Sequence, residues 1–255
     1  MPDTNPTARF GNRVADYVAT RPGYPPAVLD LLRQKAVLTQ SSVIADIGSG
    51  TGLSTEMFLR NGNTVFGVEP NAEMRAAGEQ LLAGNPNFHS VVGTAEATTL
   101  PDASIDLIVA GQAFHWFDPP RAGTEFRRIL RPGGYVALMW NTRRLDTSPF
   151  LRAYEALLQR FGTDYREVVH TNVDQATLAR FFGPGRFKAL KVDNEQLFDR
   201  EGLRGRLRSS SYTPTPGHPN FEPMMAELDL LFDTFKDRGR VRFEYDTELY
   251  VGRLA

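Results

Sequence analysis

Short apolar runs that stop at glycine, proline or asparagine recur along the amino-terminal half of the chain, with amphipathic stretches between them. Ser42-Val43-Ile44-Ala45-Asp46-Ile47 is rich in β-branched residues and ends on glycines, the pattern of a buried parallel strand. A helix is expected near Leu53 to Asn61, a strand over Thr64 to Glu69, a helix over Ala72 to Leu82 and a strand over Phe88 to Val92. The alternation continues with a strand over Ile105 to Ala110, a helix over Ala122 to Ile129 and a strand over Tyr135 to Trp140 after the turn Arg131-Pro132-Gly133-Gly134. Strand and helix alternating in this way predict an α/β fold, a mostly parallel sheet with helices on both faces. Ahead of the first strand, a proline-punctuated flap over 1–26 leads into an amphipathic helix beginning at Ala27. After Trp140 the rhythm changes: Ser148 to Tyr165 and Asp174 to Phe182 read as helices with no strand between, a helical cap inserted over 141–186. Residues 187–255 complete the sheet, with a strand over Phe187 to Phe198, helices near Arg200 to Ser209 and Glu222 to Arg238, and a closing stretch, Val241 to Tyr250, that alternates like a half-exposed edge strand.

A length of 255 residues makes one large domain or two small ones, and we read the whole chain as one. With 29 Lys+Arg against 30 Asp+Glu the formal charge is -1, which argues against nucleic acid or an anionic membrane as partner. The absence of cysteine and the presence of four scattered histidines argue against a metal site. No apolar run approaches the ~20 residues of a membrane span, and the first residues lack a signal-peptide core, so a cytoplasmic location is expected.

Asp46-Ile47-Gly48-Ser49-Gly50-Thr51-Gly52 lies where the first strand hands over to a helix. Glycines there permit positive φ and let a ligand approach bare backbone, and the helix that follows offers unpaired N–H groups. Glu69, at the end of the next strand, supplies a carboxylate able to accept both hydroxyls of a ribose. Together they describe a nucleoside site, and nicotinamide and flavin cofactors use the same architecture.

The order and spacing of Asp46, the glycine turn, Glu69-Pro70-Asn71, Gly93-Thr94-Ala95-Glu96, Leu100-Pro101, Asp106 and Leu130-Arg131-Pro132-Gly133-Gly134 resemble the class I S-adenosylmethionine (SAM) dependent methyltransferases, type 11 group. The resemblance implies a Rossmann-like seven-stranded sheet whose last strand is antiparallel, a SAM-binding core over 42–140, and S-adenosylhomocysteine as product. It also implies that Asp46, Gly48 and Gly50 border the methionine end of SAM, Glu69 the ribose, and Asn71 and Met74 the adenine. Thr94, Ala95 and Glu96 fall at the adenine edge, and Gln112 at the methionine amine. Phe10, Ala15, Tyr17, Arg21-Pro22, Tyr24-Pro25, Gln112-Ala113-Phe114-His115-Trp116-Phe117-Asp118, Tyr212 and the closing Leu249-Tyr250-x-Gly252-Arg253 resemble a narrower group, relatives of trans-aconitate methyltransferase. That likeness implies a small acceptor, with a carboxylate as the leading expectation.

A carboxylate is a nucleophile at neutral pH, so orientation and water exclusion can carry its methylation. A hydroxyl or amine must lose a proton, and His115 is the residue placed to take it, unless it only shapes the turn. Tyr17 and Arg21 are expected to close over SAM or to pack the flap. Tyr24, Trp116 and Phe117 are expected to line the acceptor channel or the core, and Arg143, beside Arg144, to clamp an acid group at the carboxyl edge of the sheet or to be solvated. Arg200, Arg204, Arg206 and Arg208 read as a solvated helix face, and Asp118-Pro119-Pro120 is a decoy for the motif of nucleic-acid amino methyltransferases. A small-molecule N- or C-methyltransferase, a non-catalytic SAM-binding protein and a nicotinamide oxidoreductase are the alternatives. The oligomer is expected to be a monomer or a homodimer.

Overall fold

The computed structural model describes residues 20–35, 37–163, 165 and 174–255. The elements in chain order are α1 (Ala27–Gln34), β1 (Val43–Ile47), α2 (Leu53–Arg60), β2 (Thr64–Val68), α3 (Ala72–Leu81), β3 (Phe88–Val91), β4 (Ile105–Gly111), a 3₁₀ turn (Phe114–Trp116) and α4 (Pro119–Ile129). They continue with β5 (Leu130–Arg143), α5 (Pro149–Phe161), α6 (Gln175–Phe182), β6 (Phe187–Phe198), α7 (Arg200–Arg208), α8 (Phe221–Phe235) and β7 (Val241–Gly252). The strands form one seven-stranded sheet in the order β3-β2-β1-β4-β5-β7-β6, mostly parallel, with antiparallel last strands. Ile44 of β1 pairs with Val65 of β2 on one side and Leu107 of β4 on the other, and Val109 pairs with Ala137 of β5.

The helices begin where short polar side chains satisfy their first N–H groups. Asn71, Asp118, Ser148, Asp174 and Asp199 accept from backbone amides two or three residues ahead, and prolines follow Asp118 and Ser148 at the first helical position. The Asp118-Pro119-Pro120 tripeptide is thus a helix start. The turn Arg131-Pro132-Gly133-Gly134 is an excursion inside β5, where the register with β4 shifts between Ile105 and Leu107. Asp106 fastens it, accepting from Arg131 Nη1 and from the Val43 amide at 2.8 Å each.

The closing strand β7 differs from its expected place. It lies between β5 and β6, and β6 is the edge. Its alternation reflects one well-buried face, Val241, Phe243, Tyr245, Thr247 and Leu249, and a period of two reports which face of a strand is covered without saying whether both its edges are paired.

Two compact units divide the chain. The first holds 23–141, 173–192 and 247–255, and the second holds 142–172 and 193–246 with the described residues 20–22. In the first unit successive strand residues bury on opposite faces. Ala45, Ile47, Ile108, Val136 and Leu138 join one apolar cluster with α4 and α6, while Ile44, Leu107, Val109, Ala137 and Met139 join another with α1 and α2. In the second unit α5, α7 and α8 pack with Phe243 and Tyr245. The stretch 141–186 is accordingly divided, with α5 in the second unit and α6 in the first. No helix among the described residues is long and apolar enough to cross a membrane.

Candidate functional site

Between the end of β1 and the start of α2 the chain turns through Gly48 at φ +69°, Gly50 at +57° and Gly52 at +91°. At Gly48 the positive φ is not the only constraint, because a Cβ would lie 2.7 Å from that of Ala113. A cradle of bare backbone results.

Glu69, just past β2, closes the cradle. Its Oε2 accepts from the Gly50 amide at 2.9 Å and its Oε1 from the Asn71 amide at 2.8 Å. A carboxylate oxygen has room for about two donors, so both keep capacity for further hydroxyls. Burial raises the Glu69 pKa, and the two amide bonds oppose it. Asn71 holds the start of α3 through its Oδ1, which accepts from the amides of Glu73 at 2.9 Å and Met74 at 3.0 Å. Met74 is buried, with its Cε 3.4 Å from where a Gly50 Cβ would stand.

Asp46 supports the turn from within. Its side chain is fully buried, and Oδ2 accepts from Ser54 and Thr55 hydroxyls of α2 at 2.7 Å each. Its Oδ1 is buried with no partner among the described residues. Burial pushes its pKa up to about 6, despite the hydroxyl bonds that lower it. Asp46 thereby positions the first turn of α2. Ser54 and Thr55 were not legible as its partners from the sequence, because their distance from Asp46 along the chain closes only through the glycine turn.

The other expected residues of the first unit gather on neighbouring loops. Thr94 and Ala97 exchange backbone hydrogen bonds at 3.1 and 3.3 Å, Ala95 is buried, and Glu96 Oε1 accepts from the Asp118 amide at 2.9 Å. That last bond ties the loop after β3 to the turn after β4. Gln112 follows β4 at φ +56°, its amide donating to Met139 O and its Nε2 to Asn141 O at 3.0 Å. In the 3₁₀ turn, Phe114 is buried, His115 is exposed with its ring tilted 4.8 Å from Trp116, and Trp116 itself is 41% exposed. Protein packed around the His115 ring disfavours the imidazolium and lowers its pKa, which leaves the imidazole neutral at neutral pH. Phe117 is half-buried, edge-on to Phe114 at 5.8 Å and Phe126 at 6.3 Å. The Tyr24 hydroxyl lies over Gly111, where an added Cβ would come within 2.5 Å of it.

Two expected residues belong to the second unit. Arg21 Nη2 donates to Ser209 O at 2.8 Å, and Arg143 pairs with Glu155 at 2.5 Å. Tyr17 lies outside the described residues, as do Phe10 and Ala15. The basic run on α7 is not the solvated face it resembles in sequence. Arg206 is buried, and Arg200 and Arg204 are ion-paired with Asp229 and Asp233 of α8. Its short spacing hides the fact that one of the four side chains points at the core.

Two cavities of about 370 Å³ open elsewhere on the first unit, one lined by Lys35, Arg186 and Arg253 and the other by Ser41, Asp106 and Arg131; Gly48, Glu69 and Gln112 line neither. Among the described residues no three histidine, cysteine, aspartate or glutamate side chains are grouped to hold a metal ion.

The methyltransferase domain family matches residues 45–138, which includes the end of β1, the glycine turn and Glu69. An uncharacterized methyltransferase-like protein of Schizosaccharomyces pombe is 30% identical over 242 residues, 93% of this chain and 92% of that one. An uncharacterized methyltransferase of Mycobacterium tuberculosis is 41% identical over 160 residues, and the match spans 63% of the length of each chain. A more distant relative, the malonyl-[acyl-carrier protein] O-methyltransferase of a Marinomonas species, is 29% identical over 150 residues, 58% of this chain and 53% of that one. Among solved structures, a candidate type II methyltransferase from Anaeromyxobacter dehalogenans superposes with a TM-score of 0.68 at 22% identity, covering 91% of this chain and 97% of the other, a likeness of fold.

Proposed function

The chain belongs to the class I SAM-dependent methyltransferases, and on that premise we propose that it uses SAM to methylate a small-molecule acceptor, with a carboxylate oxygen as the receiving atom. The observation that carries this reading is the Glu69 carboxylate, held on the Gly50 and Asn71 amides beside the bare backbone of Gly48 and Gly50. The cradle fits an adenosyl cofactor: spare acceptor capacity at Glu69 suits the two ribose hydroxyls, and the glycines admit the chain that joins ribose to methionine. SAM, when bound, supplies an electrophilic methyl on a sulfonium.

The protein's own part is to bind, to orient and to exclude water. Glu69 fixes the ribose, Asn71 and Met74 shape the adenine side, and Thr94, Ala95 and Glu96 form its edge. Gln112 turns the chain after β4 toward the methionine end. With SAM held by Gly48, Gly50 and Glu69, an acceptor carboxylate lone pair would form the new O–CH₃ bond as the C–S bond broke, and the electron pair would stay on sulfur. A carboxylate brings no proton to be removed, so His115 has no obligatory role as a base. The Marinomonas relative, named for O-methylation of a malonyl group, supports an acid acceptor. The acceptor is drawn from the cytoplasm, and neither a nucleic acid nor a membrane is expected as partner.

Calorimetry with SAM, S-adenosylhomocysteine and NAD tests the cofactor. Micromolar binding of the first two without NAD is expected, and Glu69→Ala should weaken SAM binding by about 1–3 kcal/mol. Binding of NAD alone would overturn the reading. With a small-acid acceptor, His115→Ala should cost less than about tenfold in turnover, and a loss of about 10²–10⁴-fold would point to base catalysis on a hydroxyl or amine.

A further inference from the structure

In the second unit Arg206 is buried and the side chain of Arg143 is nearly so, and among the described residues the half-buried Glu155 is the carboxylate paired with Arg143. Arg206 of α7 is 6% exposed; its Nη1 donates to Ser210 Oγ at 3.0 Å and its Nε to the Tyr245 hydroxyl at 3.4 Å, both neutral oxygens. Arg143 spends Nη2 on Glu155 at 2.5 Å and on the Tyr165 hydroxyl at 3.0 Å, but its Nη1 is buried with no partner among the described residues. The Tyr154 hydroxyl, on a residue 1% exposed, likewise has no partner, and the Arg143 guanidinium carbon lies 5.1 Å from the Tyr154 ring centre. Burial pushes the Tyr154 phenol well above its ordinary range, so it keeps its proton and remains a donor.

A buried charge without a counter-charge is costly, and a buried donor left unpaired adds to that cost. Among the described residues, one excess positive charge, an idle guanidinium N–H and an idle phenol O–H fall within one packed group of side chains. All three faults are corrected by the same ligand, a singly charged oxyanion.

We propose that Arg206, Arg143 and Tyr154 form a binding site for the carboxylate of a small organic acid. The inference rests on the reading of this chain as a methyltransferase of acidic small molecules. Guanidinium groups match the planar carboxylate fork, and a single excess charge suits a carboxylate better than a phosphate dianion. A carboxylate whose lone pairs are engaged by arginine is a poor nucleophile. The carboxylate held here is therefore bound and is not itself the methylated group.

The test titrates the full-length protein, saturated with S-adenosylhomocysteine, with succinate, glutarate, benzoate and inorganic phosphate, after the affinity for S-adenosylhomocysteine itself has been measured. At least one carboxylate should bind below ~10 mM and more tightly than phosphate, and Arg206→Gln and Tyr154→Phe should each weaken it by about tenfold or more. Tyr154→Phe removes only an unpartnered oxygen, so its melting temperature should equal or exceed that of the wild type, which keeps the test open should Arg206→Gln fail to fold. A protein that binds S-adenosylhomocysteine but none of the carboxylates overturns the site, as does Tyr154→Phe binding them with wild-type affinity or a preference for phosphate. Failure to bind S-adenosylhomocysteine overturns the cofactor reading instead, and the same carboxylate titration on the unliganded protein then judges the site by itself.

Discussion

Asp46 has its charge where water cannot reach it, one oxygen shared by Ser54 and Thr55 and the other without a partner among the described residues. Its pKa of about 6, against an ordinary 3.8, means that the folded chain keeps a proton that the unfolded chain has already released. Between these values the native state binds more protons, so stability falls as pH rises across the window. A shift of about two units amounts to ~3 kcal/mol lost by pH 7. Asp46→Asn preserves an acceptor for the two hydroxyls and cannot ionise. It should therefore be more stable than wild type at pH 7 by about 1–3 kcal/mol, with the gap closing toward pH 4. Urea denaturation at the two pH values measures this directly. A less stable variant at pH 7 would mean that the turn stabilises the charge it buries.

At the scale of the element, the 3₁₀ turn after β4 is held by one ring. Phe114 is 1% exposed and packs edge-on against Phe181 of α6 at 4.7 Å, Phe117 at 5.8 Å and Trp140 of β5 at 6.4 Å. Phe114→Ala should cost about 3–5 kcal/mol in thermal or denaturant unfolding. It should also lower methyl transfer more than it weakens SAM binding, because His115 and Trp116 ride on that turn while Glu69 does not. An equal loss in both would place the damage in the cradle. The turn itself was legible in the sequence as an aromatic cluster after an apolar strand, and so were the strand, glycine turn and Glu69, because each is a local signal: periodicity, a φ requirement, a carboxylate at a strand end. What the sequence concealed depends on pairing at long range. The alternation of β7 could not say that β6 would cover its outer edge, the proline-glycine turn at 131–134 could not reveal that β5 runs through it, and the spacing of the α7 arginines could not separate buried Arg206 from paired Arg200 and Arg204.

For the whole molecule, a formal charge of -1 leaves the pH response to individual groups. Glu125 is held down to about 2, first by its bond to Arg128 and then by Thr98, and Asp229 and Asp233 are lowered by Arg204, Arg200 and Lys236. Groups lowered on folding stabilise above their unfolded pKa and lose that contribution as pH falls, so both units weaken below about pH 4. Asp46 and Glu69 are raised on folding and act in the opposite sense, and both belong to the first unit. The first unit should thus be most stable near pH 4 and lose stability up to about pH 7. Trp116 and Trp140 are the two tryptophans of the chain and both lie in that unit, so tryptophan fluorescence reads it selectively. Its urea midpoint should rise from about pH 2 to about pH 4 and fall again by about pH 7, and Asp46→Asn should flatten the falling limb while leaving the rising one. A midpoint that stays level from about pH 4 to about pH 7 in the wild type would show that Asp46 ionises at its ordinary pKa, and that its burial is offset by contacts beyond Ser54 and Thr55.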